Sequence, residues 1–151
     1  NSGEWHSAGG LKFGSVELAE ARFPLHFDKH EFRQDSAGDG QFRGGAGVDL
    51  ELTVETEKPA LANTAGDGIK YGSRGMVGGE DSKPHAYSLL KLDGTERKLK
   101  TKEISVDVDP GDKFIIRSAG GGGWGNPANR STEARALDYK NEITSGDKGQ
   151  L

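Results

Sequence analysis

The segment GVDLELTVET, residues 47–56, carries the most regular hydrophobic pattern in the chain. Its apolar residues Val48, Leu50, Leu52 and Val54 alternate with charged or polar ones. Side chains of a β-strand point alternately to opposite faces of the sheet, so this period of two predicts a strand with one buried and one solvated face. The pattern therefore favours a fold built mainly on β-sheet.

Three further stretches have patterns typical of strands. RFPLHFDKHEFR (22–33) is rich in aromatic residues and shows no helical stripe. AYSLLKL (86–92) is followed by an Asp-Gly pair, which is typical of hairpin turns. EISVDVDPGDKFIIRS (103–118) predicts a second hairpin, in which Ile104 alternates with two valines and Pro110-Gly111 forms a type II turn.

The remaining stretches predict one long loop and one helix. Residues 57–85 are dominated by glycine, proline and short polar residues, and a loop of that length is usually functional or packed by something outside it. STEARALDYKN (131–141) predicts a helix with Ser131 or Thr132 as its N-cap. We therefore expect an irregular N-terminal arm over 1–15. Residues 16–151 are expected to form a single, mainly β, antiparallel domain with long glycine-rich loops and a C-terminal helix.

Composition limits the classes of function. The chain has 151 residues, of which 32% are hydrophobic and 29% charged, so it either has a small core or completes its core against a partner. Its net charge of −4 argues against nucleic acid or an anionic membrane as the main partner. The absence of cysteine excludes disulfides and thiolate metal sites, and no apolar run reaches membrane-spanning length. A cytoplasmic location is expected.

The histidines do not predict a metal site. His26 and His30 are four residues apart, but in a strand that spacing separates their Cα atoms by about 13 Å. They are interpreted as surface or hydrogen-bonding residues, as are His6 and His85.

The stretch SAGGGGWGNP, residues 118–127, contains four consecutive glycines. A phosphate-binding loop needs a helix immediately after the turn and usually a Lys-Ser/Thr pair, and both are missing from this stretch. A flexible linker is disfavoured by Trp124, because tryptophan side chains usually anchor something. The stretch predicts an ordered loop whose backbone passes close to another chain or a ligand, where any Cβ atom would clash.

A second glycine motif, RQDSAGDGQFRGGAG, spans residues 33–47. Asp35 and Ser36 are turn formers whose side chains can bond nearby backbone. Arg43 stands before Gly44 and Gly45, so its guanidinium has room to reach a carboxylate or a carbonyl. The simpler interpretation of the motif alone is a hairpin connection stapled by Asp35 and Arg43.

Together these motifs resemble the C-terminal region of the hydantoinase B family, which includes N-methylhydantoinase and 5-oxoprolinase B-type subunits and related ketone carboxylases. The resemblance covers about residues 16–145. Departures are Trp124 for the commoner tyrosine, Ala119 for a frequent proline and Glu142 for a usual glycine. The family's last helix is also missing. The matching positions are Glu20, Pro24, Asp35, Ser36, Gly38, Gly40, Arg43, Gly44, Gly45, Gly47, Pro110, Gly111, Asp112, Gly120 to Gly123, Trp124, Gly125 and Pro127.

The resemblance implies a place in an enzyme complex. It implies ATP hydrolysis coupled to carboxylation of a ketone or to ring opening of a cyclic amide, in both cases through a phosphorylated species. Because only the C-terminal part of the family pattern is present, the chain resembles the small subunit of an acetophenone carboxylase-like complex. The expected partners are large hydantoinase A-like and hydantoinase B-like subunits. ATP and a divalent metal are expected in those partner subunits, with no cofactor or metal in this chain.

The expected role is structural and site-completing. The alternatives are a subunit of an ATP-dependent cyclic-amide hydrolase and, from a different class, a stand-alone β-rich binding module. Expressed alone, a module is expected to be soluble and monomeric, whereas a subunit with an uncovered partner face is expected to aggregate. The candidate shared-site or interface residues are Asp35, Ser36, Arg43, Gly44, Gly45, Gly121, Gly122, Gly123 and Trp124.

Overall fold

A computed structural model describes residues 14–146 of the chain. That part is mainly antiparallel β-sheet with a C-terminal helix, so the predicted fold class is confirmed. A single 3-10 turn, Pro127–Asn129, precedes the last helix. The helices are α1 (Val16–Arg22) and α2 (Thr132–Lys140), and the strands are β1 (Leu25–Arg33), β2 (Gly47–Val54), β3 (Ala60–Ala65), β4 (Ala86–Leu90), β5 (Glu96–Leu99), β6 (Lys102–Val108) and β7 (Lys113–Arg117).

The core lies between two sheets. One sheet has five strands in the order β1-β2-β7-β4-β5, with antiparallel neighbours throughout, and the other pairs β3 with β6. Val54 and Leu89 of the larger sheet pack against Val106 and Val108 of the smaller one. The alternation predicted for β2 is largely observed, because Val48, Leu50 and Val54 are buried while the charged and polar residues between them are partly exposed.

The predicted turns are confirmed, but one predicted strand pair is wrong. β4 and β5 form the expected hairpin, with Gly94 at a positive φ of 85°. Gly111 also has the positive φ that a type II turn requires, 86°, yet the strands on either side of it enter different sheets. At this turn the Val54 N–H of β2 donates to the Asp112 carbonyl (3.0 Å). That bond aligns β7 with β2 instead of with β6.

A β-bulge interrupts the alternation predicted for β6. Thr64 pairs with Glu103 and Ala62 with Val106, so β6 has one residue more than β3 in that interval. Ser105, at a positive φ of 55°, donates its N–H to the Asn63 side chain (2.9 Å). The bulge turns Ile104 out of the core, and its side chain is 80% exposed.

Two elements were not predicted. Helix α1 begins after Ser15, whose hydroxyl caps it by accepting a bond from the Leu18 N–H (3.3 Å). Of the predicted irregular arm, residues 1–13 lie outside the described residues. Strand β3 lies within the predicted 57–85 loop. Its buried Thr64 donates to the Lys100 carbonyl (2.8 Å), which ties β3 to the end of β5. The predicted C-terminal helix is confirmed, with Ser131 as its N-cap.

Candidate functional site

Three glycine-rich segments meet at one end of the larger sheet. Strand β1 ends at Arg33, which pairs with Gly47 at the start of β2. At the end of β7, Arg117 pairs with Asp49 of β2 and with Ala86, the first residue of β4. The connections that leave and enter these four strands, residues 34–46, 66–85 and 118–126, therefore occupy the same region of space.

Backbone hydrogen bonds join the three segments to one another. The Gly38 N–H donates to the Gly121 carbonyl (2.9 Å), and the Gly121 N–H donates to the Gly45 carbonyl (2.8 Å). On the other side, the Gly123 N–H donates to the Glu80 carbonyl (2.9 Å). We call these interleaved backbones the glycine stack, formed by Gly38, Gly40, Gly44, Gly45, Gly75, Gly79, Gly120, Gly121, Gly122 and Gly123.

Most glycines of the glycine stack have no room for a side chain. A Cβ atom added at Gly44 would lie 1.9 Å from the Gly121 carbonyl oxygen, and one at Gly122 would lie 2.1 Å from that of Arg74. The prediction of an ordered loop with clashing Cβ positions is confirmed. The atoms that fill these Cβ positions belong to this chain, because the three segments arise at one end of the sheet. The approach of another chain or a ligand stays a prediction.

A row of large apolar side chains projects from the glycine stack. Phe42 and Trp124 form an antiparallel bridge, and Met76 joins Trp124 on its other side in a parallel bridge. Residues paired across a sheet project from the same face, and the Phe42 and Trp124 ring centroids are 5.6 Å apart. The exposed fraction is 61% for Phe42, 47% for Trp124 and 57% for Met76. With Val77, which follows Met76, they form what we call the apolar row.

The turn that carries Val77 has an unfavourable backbone conformation. Val77 and Gly78 both have positive φ, 54° and 88°, and the Gly79 N–H donates to the Met76 carbonyl (2.9 Å). This is the type I′ pattern, which favours Asn or Gly at its first central position. A β-branched residue there is a genuine outlier, yet Val77 is 68% exposed and packs into no core.

Arg43 clamps the C-terminal helix to the second glycine motif. Its Nε atom lies 2.9 Å from an oxygen of Asp138 in α2, and its guanidinium also pairs with Asp39. Arg130 binds the same Asp138 carboxylate through two nitrogens, at 2.9 Å each. The prediction that Arg43 reaches a carboxylate is confirmed, and its side chain is only 12% exposed.

Asp35 holds a different part of the C-terminal segment. Its carboxylate accepts bonds from the Ser145 N–H (2.9 Å) and the Ser145 hydroxyl, and its own N–H donates to the Ile143 carbonyl (2.9 Å). Burial opposes ionisation of Asp35, but the bonds from Ser145, helped by nearby positive charge, leave the pKa of the carboxyl below its usual value. The expected hairpin connection is present, because residues 34–46 join the antiparallel strands β1 and β2. Asp35 and Arg43 each also bind a residue that follows the start of α2.

Ser36 has an internal structural role. It is fully buried, donates to the Arg33 carbonyl (2.5 Å) and accepts from the Gly47 N–H (2.8 Å). These bonds tie together the ends of β1 and β2 on either side of the glycine motif. Of the nine predicted site residues, Trp124 presents a large apolar side chain to solvent, while Asp35, Ser36 and Arg43 are engaged within the chain.

Two of the histidines make contacts within the chain. His26 Nδ1 is 3.1 Å from a Glu20 oxygen. The His85 and Tyr87 rings pack edge-on, with their centroids 4.2 Å apart. Burial, with a smaller effect from nearby Arg33, lowers the pKa of His85 below 6.5. His6 lies outside the described residues. Within residues 14–146, no three His, Asp or Glu side chains lie close enough together to share a metal ion.

The sequence did not indicate the apolar row, although each of its residues is visible in it. Phe42 and Trp124 stand in the two glycine motifs, but Met76 and Val77 fall within residues 57–85, which were predicted as one long loop with no individual residue singled out. Residue type was the signal present in the sequence. Large apolar side chains flanked by glycines have few neighbouring side chains to pack against, which indicates an exposed apolar surface.

Comparison with known proteins identifies the family. Residues 2–127 match the model of the Hydantoinase B/oxoprolinase family. The chain belongs to this family. It is 31% identical over 148 residues to the caprolactamase subunit beta of Pseudomonas jessenii, covering 95% of this chain and 25% of that protein. It is 30% identical over 118 residues to the 5-oxoprolinase of Dictyostelium discoideum, covering 78% of this chain and 9% of that protein.

Solved structures share the fold of the hydantoinase B module. The ATP-dependent caprolactamase from Pseudomonas jessenii matches with a TM-score of 0.78 at 28% identity, over 95% of this chain and 27% of that one. The nucleotide-free acetone carboxylase matches with a TM-score of 0.71 at 19% identity, over 89% of this chain and 22% of that one. The chain thus spans about a quarter, or less, of the length of these relatives. In the described part, neither helix is long and apolar enough to cross a membrane.

Proposed function

We propose that this hydantoinase B-type chain is a structural and site-completing part of an ATP-dependent enzyme that acts on a cyclic amide or a ketone. The observation that carries the proposal is the 31% identity to a caprolactamase subunit over 95% of the chain. The geometry supports a scaffold role, because the motif residues Asp35, Ser36 and Arg43 serve to hold backbone and helix in place. Catalysis is proposed to require the other subunits.

The proposed division of labour follows from what this chain supplies. Its glycine stack is a rigid platform, and rigid elements position a site more accurately than mobile loops do. ATP and a divalent metal are proposed to bind to hydantoinase A-like and B-like partner subunits. Asp35, Ser36, Arg43, Gly44, Gly45, Gly121, Gly122, Gly123 and Trp124 are proposed to stand at or beneath the face that meets those subunits.

Two substrate classes are compatible with this role. Opening of a cyclic amide is supported by the identity to the caprolactamase subunit. Carboxylation of a ketone, of the acetophenone carboxylase type, is supported by the resemblance to a small subunit that accompanies large A-like and B-like subunits. Both reactions use ATP to activate a carbonyl group, so one scaffold can serve either reaction.

Purification of the tagged chain from its source under mild conditions tests the proposal. We expect recovery with large subunits and ATP hydrolysis that depends on added substrate. Stimulation by a cyclic amide assigns the hydrolase, and stimulation by a ketone together with bicarbonate assigns the carboxylase. A 16.1 kDa monomer without partners contradicts the complex and leaves the binding module.

The site-completing part of the role has its own test. Trp124→Ala is expected to lower turnover of the assembled complex, because its exposed ring meets the partner. Arg43→Ala is expected to lower it as well, by loosening the clamp on α2. Leu61→Ala, which truncates an exposed side chain on the smaller sheet, is the matched control. If the Arg43 and Trp124 variants assemble and turn over like wild type, only the scaffold role survives.

A further inference from the structure

We infer that the apolar row is the surface on which the larger part of a hydantoinase B-type subunit docks, through an apolar pocket that receives Trp124. The inference rests on the proposed function and names the contact that the proposed complex uses. It starts from the row itself, in which Phe42, Trp124 and Met76 lie side by side across three adjacent backbones.

The size and composition of the apolar row suit an interface. Phe42, Trp124, Met76 and Val77 are each about half to two thirds exposed. At roughly 150–250 Å² for a large side chain, the four residues together expose about 400 Å² of mostly apolar surface. Patches of that size on a soluble domain are often functional. Tryptophan, phenylalanine and methionine are also the residue types enriched at interface centres, and tryptophan is the commonest binding anchor.

The apolar row is also preorganised. Phe42 and Trp124 exchange two backbone hydrogen bonds of 2.9 Å, and the Met76 N–H donates to the Gly123 carbonyl (2.8 Å). The backbones of the glycine stack beneath them lie so close together that, at most of its glycines, an added Cβ atom would come within 3 Å of a neighbouring backbone atom. A surface that is already ordered loses little conformational entropy on binding, which favours affinity.

Val77 supplies a second, independent observation. Its left-handed backbone is unfavourable for a β-branched residue, and the chain gains no core contact from it because the side chain is mostly exposed. Strain of this kind persists where the surrounding structure enforces it, and it clusters at functional positions. The turn holds an exposed apolar residue next in the chain to Met76, and a partner that covers the row accounts for that arrangement.

The occupant follows from the lengths of the relatives. This module makes up 25% of the caprolactamase subunit beta and 27% of the matching caprolactamase chain. In such a protein the remaining three quarters must lie against some face of the module. The apolar row lies on residues inside the family match, 2–127, and it joins the two family glycine motifs. Leu61 and Ile104 are also exposed apolar residues, but they belong to the smaller sheet and are separate from the apolar row.

Variants of the tagged chain in its recovered complex test this docking surface. Trp124→Ser and Phe42→Ser are expected to weaken binding of the large B-type subunit roughly 30-fold, the loss typical of a buried aromatic anchor. Val77→Asn, which gives the turn a favoured Asn-Gly pair, is expected to weaken binding while leaving the fold intact. Leu61→Ser and Ile104→Ser are the controls and are expected to bind like wild type. Circular dichroism melting verifies that each variant is folded.

The outcomes separate the docking surface from the proposed function. The inference is supported if the row variants lose the large subunit and the control variants keep it. Full recovery of the large subunit with folded row variants overturns the inference and leaves the proposed function standing. A wild-type chain that recovers no large subunit overturns both. A wild-type homodimer that Trp124→Ser converts to a monomer assigns the row to a second copy of this chain and also overturns the inference.

Discussion

Alanine substitutions along the four-glycine run are expected to have unequal effects. A Cβ atom at Gly123 would lie 1.9 Å from the Asp39 carbonyl oxygen, whereas the nearest atom to one at Gly121 is the Gly45 nitrogen at 3.0 Å. Neither glycine has a positive φ, so alanine can adopt both backbone conformations. The difference between the two sites is therefore a difference in available space.

The structure sets the size of each effect. Restoring ordinary contact at Gly123 requires the neighbouring backbone to move by more than about 1 Å. That movement disrupts two bonds, from the Gly123 N–H to Glu80 (2.9 Å) and from the Met76 N–H to Gly123 (2.8 Å), each worth about 1 kcal/mol. With an overpacking cost of about 1–3 kcal/mol, Gly123→Ala is expected to lower the free energy of unfolding by at least about 3 kcal/mol.

Gly121→Ala is expected to be nearly neutral. A contact at 3.0 Å requires a shift of only a few tenths of an ångström. Alanine also reduces the conformational entropy of the unfolded chain, which stabilises the folded state by about 0.4–1 kcal/mol and offsets much of the crowding.

Urea unfolding followed by far-ultraviolet circular dichroism measures both free energies in the same buffer. Gly146→Ala is the control, because nothing lies within 4 Å of its Cβ position. Equal destabilisation by Gly121→Ala and Gly123→Ala, or no effect from either, would refute the packing of the glycine stack.

Three further substitutions test other parts of the molecule. Val77→Asn is expected to raise the free energy of unfolding by about 1 kcal/mol, since asparagine tolerates the left-handed backbone, and a lower melting temperature would contradict this. Asp138→Ala leaves Arg43 and Arg130 without their shared carboxylate and is expected to cost about 3 kcal/mol, with faster hydrogen exchange in α2 as the specific sign. His85 has a lowered pKa in the folded chain, so the unfolded state takes up its proton first as the pH falls. Stability should therefore decline below about pH 6.5, and a His85→Gln chain with the same pH profile would exclude His85 as the cause.

Locally encoded features of the fold were predictable from the sequence. The alternation in β2 reports which face of the strand is buried, and Gly94 and Gly111 take the positive φ that their turns require. The serine at the start of α2 caps the helix through its own side chain. Each of these depends on residues within a few positions of one another, so a single stretch of sequence carries the information.

Features that depend on distant partners were not predictable. Strand β3 has the sequence ALANTA, whose alanines and asparagine have low strand propensity, and it exists because β6 pairs with it. The bulge at Ser105 then reverses the face on which Ile104 lies. The interpretation of Asp35 and Arg43 as residues that staple a hairpin connection did not include their distant partners, for the same reason. Their partners, Ser145 and Asp138, follow about 100 residues later in the chain.

By itself, the sequence determined that this chain is rich in β-strands and resembles the hydantoinase B family. It also determined the two glycine motifs and the aromatic residue in each. Only the tertiary structure decided what the glycines are for. Gly44 and Gly123 have no space for a side chain because the backbones of Gly121 and Asp39 occupy it, and those backbones meet because the strands of one sheet deliver them to one place. The same packing brings Phe42, Met76 and Trp124 into a single exposed row. A contact between segments tens of residues apart has no local signature, so the surface proposed for docking appears only when the chain is folded.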